Sequence, residues 1–260
     1  MKTPEGFEVD AWQMKYFQNR PESKGLVYTK EEEKELIDLR SDRTTEHPQE
    51  SIDWDKIVFR NSQWFGDLTR ISRTSEIDDR KNHTDLIVDF LNEDESEIVA
   101  KLTVDTTVSN EGNVGTKLNT VVDDVENRFT LSSLRHATTV EKGKFKPYKN
   151  APHAVIAIGK NDLMSYQEGQ IPESNLQKKV LDQVFAQLTL ERSFIASSNK
   201  LPPLIQTELI SKIDRVLSEI NKTLSSMKKP SELQRVWDIG TEYASDPEKI
   251  SKICPRLKAS

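Results

Sequence analysis

The sequence predicts an α/β layered fold, and three observations carry that reading. Two strand-like runs between His83 and Thr107 flank a short acidic turn, Asn92 to Ser96. A third run, His153 to Gly159, is apolar without alternation, as in a strand buried on both faces in the middle of a sheet. Apolar residues at helical spacing stand before, between and after these runs.

Taken in order, residues 1–50 are polar and irregular and read as a loosely attached arm. Within it the charge run from Lys30 to Glu35 suits a short helix edged by Leu36, Ile37 and Leu39. From Ser51, the residues Trp54, Ile57, Val58, Trp64, Phe65, Leu68 and Ile71 suggest one amphipathic helix, bent near Gly66. Thr74 to Thr84 reads as an acidic polar loop leading into Asp85.

In the first strand-like run, Asp85, Ile87, Asp89 and Leu91 share a face, with Leu86, Val88 and Phe90 on the other. In the second, Ile98, Ala100, Leu102 and Val104 face a core, and Lys101, Thr103, Asp105 and Thr107 face away from it. A polar loop from Asn110 to Gly115 then precedes a helical stripe of Val114, Leu118, Val121, Val122, Val125 and Phe129. Leu131 to Val140 has strand composition, and the basic segment Gly143 to Lys149 reads as a loop. Beyond Gly159 the chain is helical: one long helix after Pro172, a second opened by Pro202 and Pro203, and a short one from Trp237 to Tyr243. The division expected is therefore an arm over 1–50, an α/β core over 51–198 and a helical extension over 199–260.

At 31 % charged and 35 % hydrophobic residues, the chain of 260 residues lies on the polar side for a globule. A single cysteine, Cys254, excludes an internal disulfide and a cysteine metal cluster. No apolar run reaches about 18 residues, so a soluble cytoplasmic protein without membrane contact is expected. The net charge of −6 argues against a general nucleic-acid coat but not against a local basic groove. Phosphate-binding glycine loops, a G-x-S-x-G turn and zinc-type histidine spacing are all absent.

The acidic edge remains. If the two strand-like runs pair antiparallel, Asp85 and Asp105 meet at one edge of the hairpin. Like charges so placed repel unless a cation lies between them, which suggests a divalent metal site.

The segments SEIDDRKNHTDLIVDF and KLTVDTT, in this order with a helix carrying Lys117 behind them, resemble the PD-(D/E)XK nuclease superfamily. More narrowly, they are similar to a poorly characterised bacterial group within it. The resemblance spans about Ser51 to Ser197. It implies a restriction-endonuclease-like mixed sheet flanked by helices, and metal-dependent hydrolysis of nucleic acid, DNA above all, with Mg²⁺ or Mn²⁺ as cofactor. It also implies Asp85 and Asp105 as metal ligands and catalytic acids. The superfamily's lysine belongs at position 107, where Thr107 stands; Lys117 is the residue that would supply the ammonium instead. Glu76 and Asp79 are accessory acids in this reading, and Lys142, Lys144, Lys146 and Lys149 would touch the phosphate backbone. The alternative is a catalytically silent nuclease-like fold acting as a binding or scaffold module, its C-terminal helices gripping a protein partner.

Overall fold

The central hairpin pairs as its alternation requires. Strand β2 (Leu86–Leu91) runs antiparallel to β3 (Ile98–Val108), with Leu86 opposite Val104, Ile87 opposite Thr103 and Asp89 opposite Lys101. The computed structural model describes residues 28–41, 49–108, 111–138, 145–227, 237–238, 241–242 and 244–257. Strand β1 (Thr69–Arg73) adds antiparallel to β2, and β6 (His153–Ile158) adds parallel to β3. The result is a mixed four-stranded sheet in the order β1-β2-β3-β6. A parallel neighbour requires a crossover. Here the crossover holds α4 (Glu111–Arg128) and a separate hairpin of β4 (Ser132–Thr138) and β5 (Phe145–Ala151).

One sheet face is largely apolar, with the Arg73–Asp55 ion pair at its β1 end. Leu86, Val88, Phe90, Leu102, Val104 and Ile156 pack with residues of α2 (Gln49–Arg60), α6 (Glu173–Ser197) and α7 (Pro203–Ser226). Each such side chain contributes about 1.5–3 kcal/mol when fully buried, so this layer fixes the sheet. Helix α7 supplies Leu209, Ile213, Val216 and Ile220 to that same core, although it lies in the stretch read as an extension. The opposite face is polar near β2 and β3, where Asp89 pairs with Lys101 and with Arg70, the latter at 2.7 Å. Helix α4 and α8 (Pro247–Ile253) close this side over Val155 and Ala157.

Several expectations are corrected. The amphipathic helix foreseen from Ser51 to Ile71 ends at Arg60; a short 3₁₀ turn (Ser62–Phe65) follows, and Leu68 and Ile71 belong to the approach to β1 and to β1 itself. Gly66, at φ 138°, adopts backbone that other residues avoid and breaks the helical run there. The acidic stretch after Thr74 is helix α3 (Glu76–Asn82), capped by Ser75, whose hydroxyl accepts the Asp78 N–H at 3.2 Å. Gly112 and Gly115 lie inside α4, not in a loop; a Cβ on Gly115 would sit 3.1 Å from the Ile253 carbonyl, so its absence lets α8 approach.

The basic segment read as a loop forms β5 from Phe145 onward. Strand β6 is buried on both faces, yet lies at the edge of the sheet and not in its middle. Two side chains take the place of a further strand. Gln187 accepts from the Val155 N–H and donates to its carbonyl, both at 2.8 Å, and Gln183 does the same for Ala157 at 2.9 and 2.7 Å. The arm helix appears as α1 (Lys30–Ser41), tied to β4 by the Glu35–Arg135 ion pair at 2.5 Å. The short helix expected at Trp237 to Tyr243 falls partly outside the described residues, as do positions 1–27.

Candidate active site

Asp85 stands one residue before β2. Its N–H donates to the Val104 carbonyl at 2.9 Å, which carries the ladder one step further and sets Asp85 across from Asp105. Thr106 then holds the side chain. Its backbone N–H and its hydroxyl both donate to Asp85 Oδ2, at 2.7 and 2.8 Å.

Asp105 is buried in β3, between β2 and β6. Its Oδ1 receives the Lys117 ammonium at 2.5 Å; its Oδ2 is buried and meets no donor, and the Asp85 carboxyl lies close enough for the two acids to share a proton. Burial raises the Asp105 carboxyl from 3.8 to about 8, the nearby Asp85 charge adds to the rise, and Lys117 opposes it. For Lys117, burial pulls the ammonium down, but Asp105, Asp85 and Asp79 together hold it above its ordinary range. The two upward shifts differ in cause: burial dominates for Asp105, whereas for Lys117 the surrounding carboxylates outweigh burial.

A cavity of about 230 Å³ opens on this cluster, with Asp105 and Lys117 in its wall beside Thr116, Asp124, Ser133 and His153. His153 is buried, and burial, followed by the Lys117 charge, lowers its pKa to about 3, so the ring is neutral. The Thr103 hydroxyl donates to the Pro152 carbonyl at 3.0 Å and lies 3.1 Å from His153 Nδ1. With its proton spent on Pro152, that hydroxyl accepts from Nδ1–H, which leaves Nε2 of His153 as an acceptor.

Of the residues singled out from sequence, Asp85, Asp105 and Lys117 come together, and Asp79 is close enough to act on Lys117. Glu76 does not join them; its Oε1 receives Arg80 Nε at 2.9 Å within α3. Lys142 and Lys144 lie outside the described residues. Lys146 lies in β5 opposite Ala137, and Lys149 is an exposed β5 residue whose carbonyl accepts Lys212 Nζ at 2.8 Å. Lys149 is not among the described residues that line the cavity.

Thr106 and His153 were not legible as site residues. Alternation assigns Thr106 to the face opposite Asp105, and a histidine opening a buried strand carries no spacing signal of its own. Comparison with known protein families, characterised proteins and solved structures finds no match. Among the described residues, no group of three or more His, Cys, Asp or Glu side chains is spaced to hold a metal ion. Mg²⁺ commonly binds through one or two carboxylates and keeps several waters, so two aspartates with a buried oxygen that meets no donor fit such an ion.

Proposed function

We propose that this chain hydrolyses phosphodiester bonds of nucleic acid, DNA above all, with Mg²⁺ or Mn²⁺ held by Asp85 and Asp105. The observation that carries the reading is the convergence of Asp85, just before β2, Asp105 in β3 and Lys117 in α4, with Asp105 Oδ2 buried and without a donor. A mixed sheet of three antiparallel strands and the parallel β6, with α4 in the crossover between β3 and β6, supports placing the chain with the restriction-endonuclease-like folds of the PD-(D/E)XK superfamily. Within that reading, Lys117 on α4 stands in for the lysine absent at Thr107.

The divalent ion, when bound, supplies Lewis acidity, which acidifies water and offsets charge on the phosphate. The residues of the chain do the rest. Thr106 orients Asp85, burial denies Asp105 competing water, and Lys117 keeps a positive charge where the phosphate gains negative charge. Net reaction adds water across the P–O bond: the water oxygen bonds to phosphorus, the sugar oxygen leaves, and that oxygen takes up a proton.

Purified protein incubated with supercoiled plasmid or single strands and Mg²⁺ or Mn²⁺ tests this. Cleavage is expected, and Asp105→Ala abolishes it; cleavage that survives this change unaltered removes Asp105 from the chemistry. A second reading, a silent nuclease-like scaffold, draws on Thr107 in the lysine position and predicts no cleavage of any substrate.

A further inference from the structure

Helix α1 is held to the body more by charge than by apolar burial. Its less exposed face carries Glu32, Glu35, Leu36 and Leu39, and among its described side chains only Leu36 is buried. Leu36 belongs to none of the apolar clusters that fix the sheet. A helix of 12 residues is marginal by itself in water, so its contacts decide whether it stays. Glu35 takes both terminal guanidinium nitrogens of Arg135, at 2.5 and 3.2 Å, and the Lys81 ammonium at 2.6 Å. Glu32 meets His136 Nε2 at 3.2 Å, and Tyr28, just ahead of α1, sets its ring edge to face against His136. Arg135 and Lys81 hold the Glu35 carboxyl below its ordinary range. Partly exposed ion pairs of this kind nevertheless contribute little each and are screened by salt.

The surface beneath α1 is rigid and runs into the cavity. Asp78 Oδ1 and Oδ2 accept the backbone N–H groups of Arg135 and His136, at 2.8 and 3.1 Å, which pins β4 against the first turn of α3. Two residues after Lys81, His83 lines the cavity; two residues before Arg135, Ser133 does. Two residues of extended chain span about 7 Å, so the backbone that carries Arg135 leads directly into the wall that also holds Asp105 and Lys117. A guanidinium fork with an ammonium beside it, closed on one carboxylate, is also an arrangement that grips a phosphate.

We propose that the surface of Lys81, Arg135 and His136 binds the phosphate backbone of nucleic acid whose scissile bond lies in the cavity, and that α1 covers this surface until the substrate displaces it. This rests on the phosphodiester reading above and adds to it a flanking contact and a built-in competitor. Glu32 and Glu35 occupy the places that phosphates take, so the arm weakens apparent binding in proportion to the time it spends docked.

The test uses the full chain and a short fluorescein-labelled DNA, single-stranded and as duplex. Binding is read by anisotropy with Ca²⁺, and cleavage with Mn²⁺. Glu32→Gln combined with Glu35→Gln should bind about tenfold tighter, the gain for an arm docked about nine-tenths of the time. Glu31→Gln combined with Glu33→Gln, the same charge change on the exposed face of α1, should gain less than about twofold. Adding Lys81→Gln and Arg135→Gln to the first variant should lower the slope of log affinity against log salt by about 1.4 to 1.8, the value for two phosphate contacts. In the wild type, amide exchange across α1 should speed up when DNA binds. Equal gains in the two glutamine variants, an unchanged salt slope, or exchange in α1 that DNA leaves alone or slows would overturn the inference and leave the hydrolysis standing. Displacement of α1 with no cleavage of any substrate would count against the hydrolysis and keep the surface. Failure of every variant to bind DNA would end both.

Discussion

Lys117 is the residue whose position changes the meaning of the site. A lysine two positions after Asp105 would share its strand and face; Thr107 occupies that place, and the ammonium arrives from α4 at 2.5 Å. The charge therefore depends on how α4 packs and not on the strand itself. Lys117→Met keeps most of the side-chain volume and removes the charge. It should lower the plasmid cleavage rate by about 10²–10³-fold, the usual range for removing one transition-state donor, while leaving Mn²⁺ binding in place. Intact cleavage in this variant would make Lys117 a structural partner of Asp105 only.

At the scale of elements, α6 is built around a polar row. Gln183 and Gln187 complete the outer edge of β6, and Glu191 stands one turn further along the same helix. Glu191 is buried, its Oε1 has no hydrogen-bond partner, and burial raises its pKa from 4.5 to about 8. Between those two values the folded chain keeps a proton that the unfolded chain gives up. Stability therefore falls as pH rises from about 4.5 to about 8, by up to about 1.4 kcal/mol per pH unit for this one group. Because Asp105 titrates over the same window, Glu191→Gln should reduce the slope and not abolish it, and melting temperatures taken across the window would show this; an unchanged slope would assign the dependence elsewhere.

The start of α5 (Lys160–Gln167) is held from a distance. Asp238 Oδ2 accepts the Asn161 N–H at 2.9 Å, and the Gly159 N–H donates to the Thr241 hydroxyl at 2.7 Å. A Cβ on Gly159 would lie 2.1 Å from that of Asp238. The φ of −71° suits alanine, so collision alone opposes the change. Gly159→Ala should cost about 1–3 kcal/mol, read from the denaturant midpoint, and wild-type stability would mean that the segment around Asp238 shifts freely.

For the whole molecule, the proposed ion site between Asp85 and Asp105 predicts a fold whose stability responds to divalent ions. An ion that binds only the folded chain stabilises it by about 2.7 kcal/mol at one hundred times its dissociation constant. Mg²⁺ or Mn²⁺ should raise the melting temperature of the wild type, and Asp105→Asn should abolish the rise without any substrate present. An equal rise in both would move the ion away from Asp105. Among the described residues, no helix is long and apolar enough to cross a membrane.

Short-range pattern alone determined the hairpin of β2 and β3, the buried run of β6, the long C-terminal helices and the nearness of Asp85 to Asp105. Period-2 alternation and a short turn fix which residues of a hairpin meet, and no distant contact is needed. The Ser75-x-x-Asp78 cap of α3 was also present in the sequence, masked by the density of acids around it. Tertiary structure decided what depends on neighbours far along the chain: Lys117 over Asp105, the glutamines that stand in for a strand beside β6, the separate β4–β5 sheet and the exposure of Phe129. Residues remote in sequence are brought together by burial of the apolar face beneath them, and local periodicity holds no information about which remote partner that burial selects.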